Sequence, residues 1–85
     1  MGGGGGSLGP ACLVGHALAE FPVASAAECA RVCWVYFGCR SFNVRRPSVE
    51  GAPASRRDCQ LNNATRLDRP DSFKDQGSHC AYFEI

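Results

Sequence analysis

Ser25 to Val44 reads SAAECARVCWVYFGCRSFNV and carries three of the six cysteines of the chain. Its opening residues, Ser25-Ala26-Ala27-Glu28, have the S-x-x-E form of a capping box. In that motif the serine oxygen accepts from the amide three residues on, and the glutamate reaches back to the Ser25 amide. Cys29 and Cys33 follow one helical turn apart, so both project from one face. Ala26, Ala27 and Ala30 favour helix, and Arg31 is expected at solvent. The helix is predicted to reach about Tyr36 or Phe37 and to end at Gly38, which can take the left-handed backbone conformation. From Cys39 the period becomes two, with Cys39, Ser41 and Asn43 on one side and Arg40, Phe42 and Val44 on the other. A capped helix turning into a strand, with cysteines on both, predicts the anchor of a disulfide-stapled domain.

Size and composition support that reading. The chain has 85 residues, and its first ten, MGGGGGSLGP, read as a flexible Gly-rich linker, either natural or an engineered scar. The domain proper is assigned to residues 11–85. At about 75 residues a single apolar core is marginal, and a covalent or metal staple is common. An even number of cysteines suits a secreted disulfide framework. The net charge is +1, so bulk charge selects neither nucleic acid nor an anionic membrane as a partner. No apolar run approaches the roughly 18–20 residues that span a bilayer. Met1–Pro10 lacks the basic and apolar regions of a signal peptide. The expectation is therefore a piece of a longer extracellular protein, with no membrane insertion by this segment.

Working outward, Ala11–Leu18 (ACLVGHAL) reads as one edge strand bent at Gly15. Glu20–Ala24 is extended, because Pro22 disfavours helix at Phe21. Arg45–Arg57 (RRPSVEGAPASRR) has two prolines and a glycine and reads as an exposed hairpin loop. Asp58–Asn62 alternates again, with Cys59 and Leu61 on one face. Asn63–Gly77 is polar, punctuated by Pro70 and Gly77, and is expected to run over the surface. Ser78–Ile85 closes the chain as a strand. One helix followed by strands with turn-rich connections predicts an α+β fold, a small disulfide-rich domain with the helix packed on an antiparallel β-sheet.

Six cysteines allow fifteen pairings, and spacing alone does not choose among them. A bond between Cys29 and Cys33 would tie the helix only to itself. Cys33 to Cys39 would clamp the helix end to the next strand, Cys29 to Cys59 would join helix to hairpin, and Cys12 to Cys80 would fasten the first strand to the last. Rival pairings stay open on this geometry. A zinc site has ligands in Cys29, Cys33, Cys39 and Cys59, with His16 and His79 nearby in kind. It lacks the usual C-x2-C knuckle, however, and no metal is assigned.

The ordered pieces resemble a PAN/apple domain. They are the A-x2-C-x3-C helix (Ala26 to Cys33), the C-x-S-F-N strand (Cys39 to Asn43), the C-x-L-N strand (Cys59 to Asn62) and the terminal Tyr82-Phe83-Glu84. The resemblance implies disulfides Cys12–Cys80, Cys29–Cys59 and Cys33–Cys39. It also implies an extracellular module that binds proteins or carbohydrates, without catalytic machinery and without a cofactor.

Candidate binding residues are Arg45, Arg46, Arg56 and Arg57, which flank the long loop. If the loop ends pair, four guanidiniums come close enough to hold a sulfated or carboxylated sugar, such as a sulfated glycosaminoglycan, or an acidic protein face. The plainer reading is a solvated loop with Glu50 and Asp58 as local partners. Asn63-Ala64-Thr65 matches the N-x-[ST] glycan acceptor, the plainer reading being an Asx turn. Trp34, Tyr36 and Phe37 read chiefly as core packing at the helix end, with an exposed aromatic as the binding alternative. His16 and His79 have no partnered nucleophile, so neither is assigned as a base. Two functions fit. One is a non-enzymatic recognition module within a larger secreted or cell-surface protein, and the other is a stand-alone small secreted ligand or inhibitor.

Overall fold

In the computed structural model, residues 11–46, 51, 56–75 and 80–85 are described. Ser25 caps α1 (Ala26–Val35), its hydroxyl accepting from the Glu28 amide at 3.3 Å. Glu28 Oε1 accepts from the Ala24 amide at 2.7 Å. The capping box therefore closes one residue upstream of Ser25, whose backbone is extended (φ −159°, ψ 165°). At the other end the Tyr36 amide donates to the Cys33 carbonyl and the Cys39 amide to the Tyr36 carbonyl. Gly38 makes the exit possible with φ at +87°. An added Cβ there would meet nothing closer than Leu18 Cδ1 at 3.8 Å. Gly38→Ala is therefore expected to cost about 1–2 kcal/mol in backbone strain alone, read as a lower urea midpoint with unchanged slope.

The main sheet has four antiparallel strands in the order β2 (Ala17–Val23), β4 (Arg57–Asn62), β3 (Ser41–Arg45) and β6 (Cys80–Glu84). Register sets Phe42 opposite Leu61 and Phe83, and Val44 opposite Cys59 and Ala81. Those side chains form the face beneath α1. There Val23, Cys29, Cys33, Phe42, Val44, Cys59 and Leu61 are buried together. Phe42 and Phe83 stack with centroids 5.0 Å apart. Pro22 is tolerated because β2 is an edge strand.

The opposite face of the sheet is also covered, which the polar reading of Ser41 and Asn43 does not foretell. β1 (Ala11–Leu13) pairs antiparallel with β5 (Phe73–Asp75), and Leu13, Ala64 and Tyr82 are buried beneath them. Phe73 meets Tyr82 edge-on at 4.9 Å. Asn43 is fully buried there and bridges the layers. Its Oδ1 accepts from the Leu13 amide at 3.1 Å, and its Nδ2 donates to the Leu13 carbonyl at 2.8 Å and to Gln60 Oε1 at 3.0 Å. Ser41 Oγ donates to the Ala64 carbonyl at 2.6 Å and accepts from Asn62 Nδ2. Two expectations are corrected. Ala11–Leu18 is not one bent strand but parts of β1 and β2 in different sheets, separated at Gly15 (φ +89°). Residues 63–75 are not featureless, because a 3-10 turn (Pro70–Ser72) leads into β5.

Disulfides lock both layers. Cys12–Cys80 ties β1 to β6, Cys29–Cys59 ties α1 to β4, and Cys33–Cys39 ties α1 to the approach to β3. Tyr82 adds a polar strut on the β1 side. Its hydroxyl accepts from the Arg66 amide at 2.8 Å and donates to Glu84 Oε2 at 2.9 Å. Burial raises the Tyr82 phenol above its ordinary 10.0, and the Glu84 carboxylate adds to the rise. A neutral phenol held in the folded state contributes stability that is present below that value and is lost as pH rises through the folded one. Stability is thus expected to fall above about pH 10. Denaturant titrations in that range should show the slope, and Tyr82→Phe should remove the part due to this phenol.

Candidate functional site

Helix α1 lies across β3 and β4, with lighter contact to β2. The edge strand β6 is left outboard of it, and a groove opens between them. Its first part is a hollow of about 370 Å³ lined by Ala26, Ala30, Trp34, Phe42, Phe83 and Ile85. Its second, about 230 Å³, shares Ala26 and Phe83 and adds Val44, Arg46, Arg57 and Ala81. The groove is therefore apolar at one end and basic at the other, and one wall is a sheet edge.

The aromatic residues at the helix end are not core, contrary to expectation. Trp34 is 75% exposed and Phe37 98%, and Tyr36 is also exposed. The buried helix face is set by Cys29 and Cys33, both bonded inward. Trp34 sits about 100° round from Cys33, over the groove, and Tyr36 and Phe37 lie past the last helical turn.

The four loop arginines do not gather into one patch. Strand alternation sends neighbours to opposite faces. Arg45 pairs with Glu20 at 3.9 Å, and Arg56 with Asp58 at 3.4 Å, on the face away from α1. Arg46 and Arg57 face the groove instead, where Arg57 Nη1 also donates to the Arg56 carbonyl. Glu50 and the loop residues 47–50 and 52–55 lie outside the described residues.

Asn63 is exposed, its amide donating to the His16 carbonyl at 3.1 Å. Asp68 Oδ2 accepts from the Thr65 amide at 3.0 Å and from the Thr65 hydroxyl at 3.2 Å, and lies 3.5 Å from Arg40 Nη1. The Thr65 amide, helped by its hydroxyl and by Arg40 and Arg69, holds the Asp68 carboxyl below its ordinary range despite some desolvation. His16 Nε2 is hydrogen-bonded with Ser72 Oγ at 3.0 Å. His79 lies outside the described residues. All six cysteines are in disulfides, and among the described residues no group of three or more acidic, histidine or cysteine side chains is arranged to hold a metal.

The family model described as PAN domain matches residues 10–85. The chain belongs to the PAN domain family. Comparison with curated proteins gives no match, and comparison with solved structures gives none either. PAN domains are generally non-catalytic modules that bind protein or carbohydrate, and those built on disulfides are typically extracellular. Within this PAN domain no helix is long and apolar enough to cross a membrane among the described residues.

The groove was partly legible beforehand. An i to i+1 step from the buried Cys33 already turns Trp34 off the core face. Nothing local to β6 signals that α1 leaves this strand uncovered.

Proposed function

We propose that this PAN domain is a non-enzymatic recognition module of an extracellular protein, and that it grips a partner protein along the α1–β6 groove. The observation that carries this reading is the continuity of the Trp34–Ile85 apolar end with the Arg46–Arg57 basic end along an edge strand. An exposed tryptophan at one end of a groove and arginines at the other supply the residue types of interface hot spots, each such anchor contributing about 2–4 kcal/mol when covered. The matching occupant is an extended segment of a partner, with an apolar anchor for Trp34 and a carboxylate for Arg46 and Arg57. An extended chain also suits β6, an end strand of the main sheet among the described residues. Three disulfides fit an oxidising compartment. The division of the arginines by face disfavours a single polysulfated glycosaminoglycan site at this loop.

A displayed library of extended peptides, selected on the oxidised full chain, tests the reading. The enriched peptides should carry an aromatic or large aliphatic residue near Asp or Glu. Trp34→Ala should weaken them at least about 10-fold, and Arg46→Gln with Arg57→Gln should flatten the salt dependence of binding. Enriched peptides that bind the Trp34→Ala chain as well as the parent would overturn it.

The remaining assignments belong to the same proposal. Residues 1–10 serve as a tether and residues 11–85 as the domain.

A further inference from the structure

A second hollow, separate from the groove, has about 480 Å³ and is lined by His16, Arg40, Asn63, Ala64, Asp68 and Arg69. Its groups come from three places in the chain: the β1–β2 turn, the approach to β3, and the loop after β4. Backbone bonds hold these together. Arg40 donates to the Asn62 carbonyl at 2.8 Å, Asn63 to the His16 carbonyl at 3.1 Å, and Arg69 to the Thr65 carbonyl at 3.0 Å. Asp68 is fixed by Thr65, and the His16 ring by Ser72. Asp68 and the His16 ring are therefore set in place before any ligand arrives.

We infer that this hollow binds a carboxylated sugar residue of a glycan. Two guanidiniums, Arg40 and Arg69, stand against the single carboxylate of Asp68. The Arg40–Asp68 contact is one N···O approach at 3.5 Å rather than a two-point fork, so Arg40 keeps donors for a ligand carboxylate. Asp68 repels a bare, multiply charged anion but accepts from hydroxyl groups. The hollow thus selects a ligand that presents one negative charge and several hydroxyls together. Asn63 offers both a donor and an acceptor at the rim. Among the described residues no Trp, Tyr or Phe ring lines the hollow, so the broad stacking platform that holds a neutral sugar face is missing and charge must supply the attraction. The volume matches one or two sugar units.

The test is an NMR titration of the oxidised full chain, made in a host that adds no N-glycan. The probes are methyl glucuronide and the methyl glycoside of N-acetylneuraminic acid, each beside its carboxyl methyl ester. At least one acid should shift the amides of Arg40, Asn63, Ala64 and Asp68. Its ester should bind about 10-fold more weakly, and Arg40→Gln and Arg69→Gln should each lower affinity about 5- to 10-fold. Arg46→Gln, in the groove, should leave the titration unchanged. Equal shifts from acid and ester, inorganic sulfate binding more tightly than either acid, or no titration by either acid at about 50 mM, well beyond the millimolar range of weak sites, would overturn the inference.

Discussion

Replacing Cys29 with Ser is expected to lower the unfolding free energy by about 3–4 kcal/mol, and Cys33→Ser by about 2 kcal/mol. The order follows from the loops that the bonds close. Cys29–Cys59 spans 30 residues and Cys33–Cys39 spans 6, so the first removes more chain entropy from the unfolded state. The partner left behind acts in the same direction. Cys29 and Cys33 are both buried in the core, so a serine at either puts a hydroxyl into apolar packing. The thiol left unpaired is the fully buried Cys59 in the first variant and the half-buried Cys39, at the helix exit, in the second. Since a domain of this size has about 5–15 kcal/mol in all, Cys29→Ser should leave a partly unfolded population at 37 °C. Thermal and urea melts of the two variants check the ranking, and equal losses would contradict it.

Asn43→Ala should cost about 3–4 kcal/mol, more than the usual side-chain deletion at a strand centre. The side chain makes two hydrogen bonds across the interface to Leu13 of β1 and a third within the main sheet to Gln60. Truncation leaves the Leu13 amide and carbonyl unpaired in a dry layer, at about 1–3 kcal/mol for each orphaned group, in part relieved by relaxation. The loss should be local in kind. Near-ultraviolet dichroism from Phe73 and Tyr82 should weaken before the α1 signal in far-ultraviolet does, and amide exchange should quicken at Leu13. A variant as stable as the parent would show that β1 is held by Cys12–Cys80 alone.

The two layers differ in how much of them can be read from local sequence. On the helix side the relevant signals are short-range. Ser25 and Glu28 mark the start of α1, Gly38 its end, and the alternation in residues 39–44 and 58–62 marks strands. The β1 side depends on contacts remote in sequence. β1 pairs with residues 73–75 near the other end of the chain, and β5 contains one apolar residue in a polar run. Period-two reasoning assigned Ser41 and Asn43 to one face correctly, but a polar face reads as a wet one. Only the covering loop makes it a hydrogen-bonded interior. The arginines are a different case. Arg45 ends β3 and Arg57 begins β4 on opposite faces by alternation, while Arg46 and Arg56, just beyond the strand ends, lie with Arg57 at the groove and beside Asp58 respectively. The signal was present and was masked by counting charge along the chain.

The consequence for function is a shift of emphasis from the loop to the groove beside it. Exposed Trp34, the Phe83 ring and Ile85 form the apolar half of that groove, and the two groove-facing arginines give it direction. The residues that staple α1 also turn Trp34 toward the proposed groove, because Cys29 and Cys33 hold the face about 100° away against the sheet.

Amide shift mapping with a selected apolar–acidic peptide tests this account most directly. Shifts should be confined to Ala26–Trp34 on α1, Ala81–Ile85 on β6 and the basic end at Arg46 and Arg57, and should be lost in Trp34→Ala. Shifts centred instead on β1 and β5, or a map unchanged by Trp34→Ala, would contradict it.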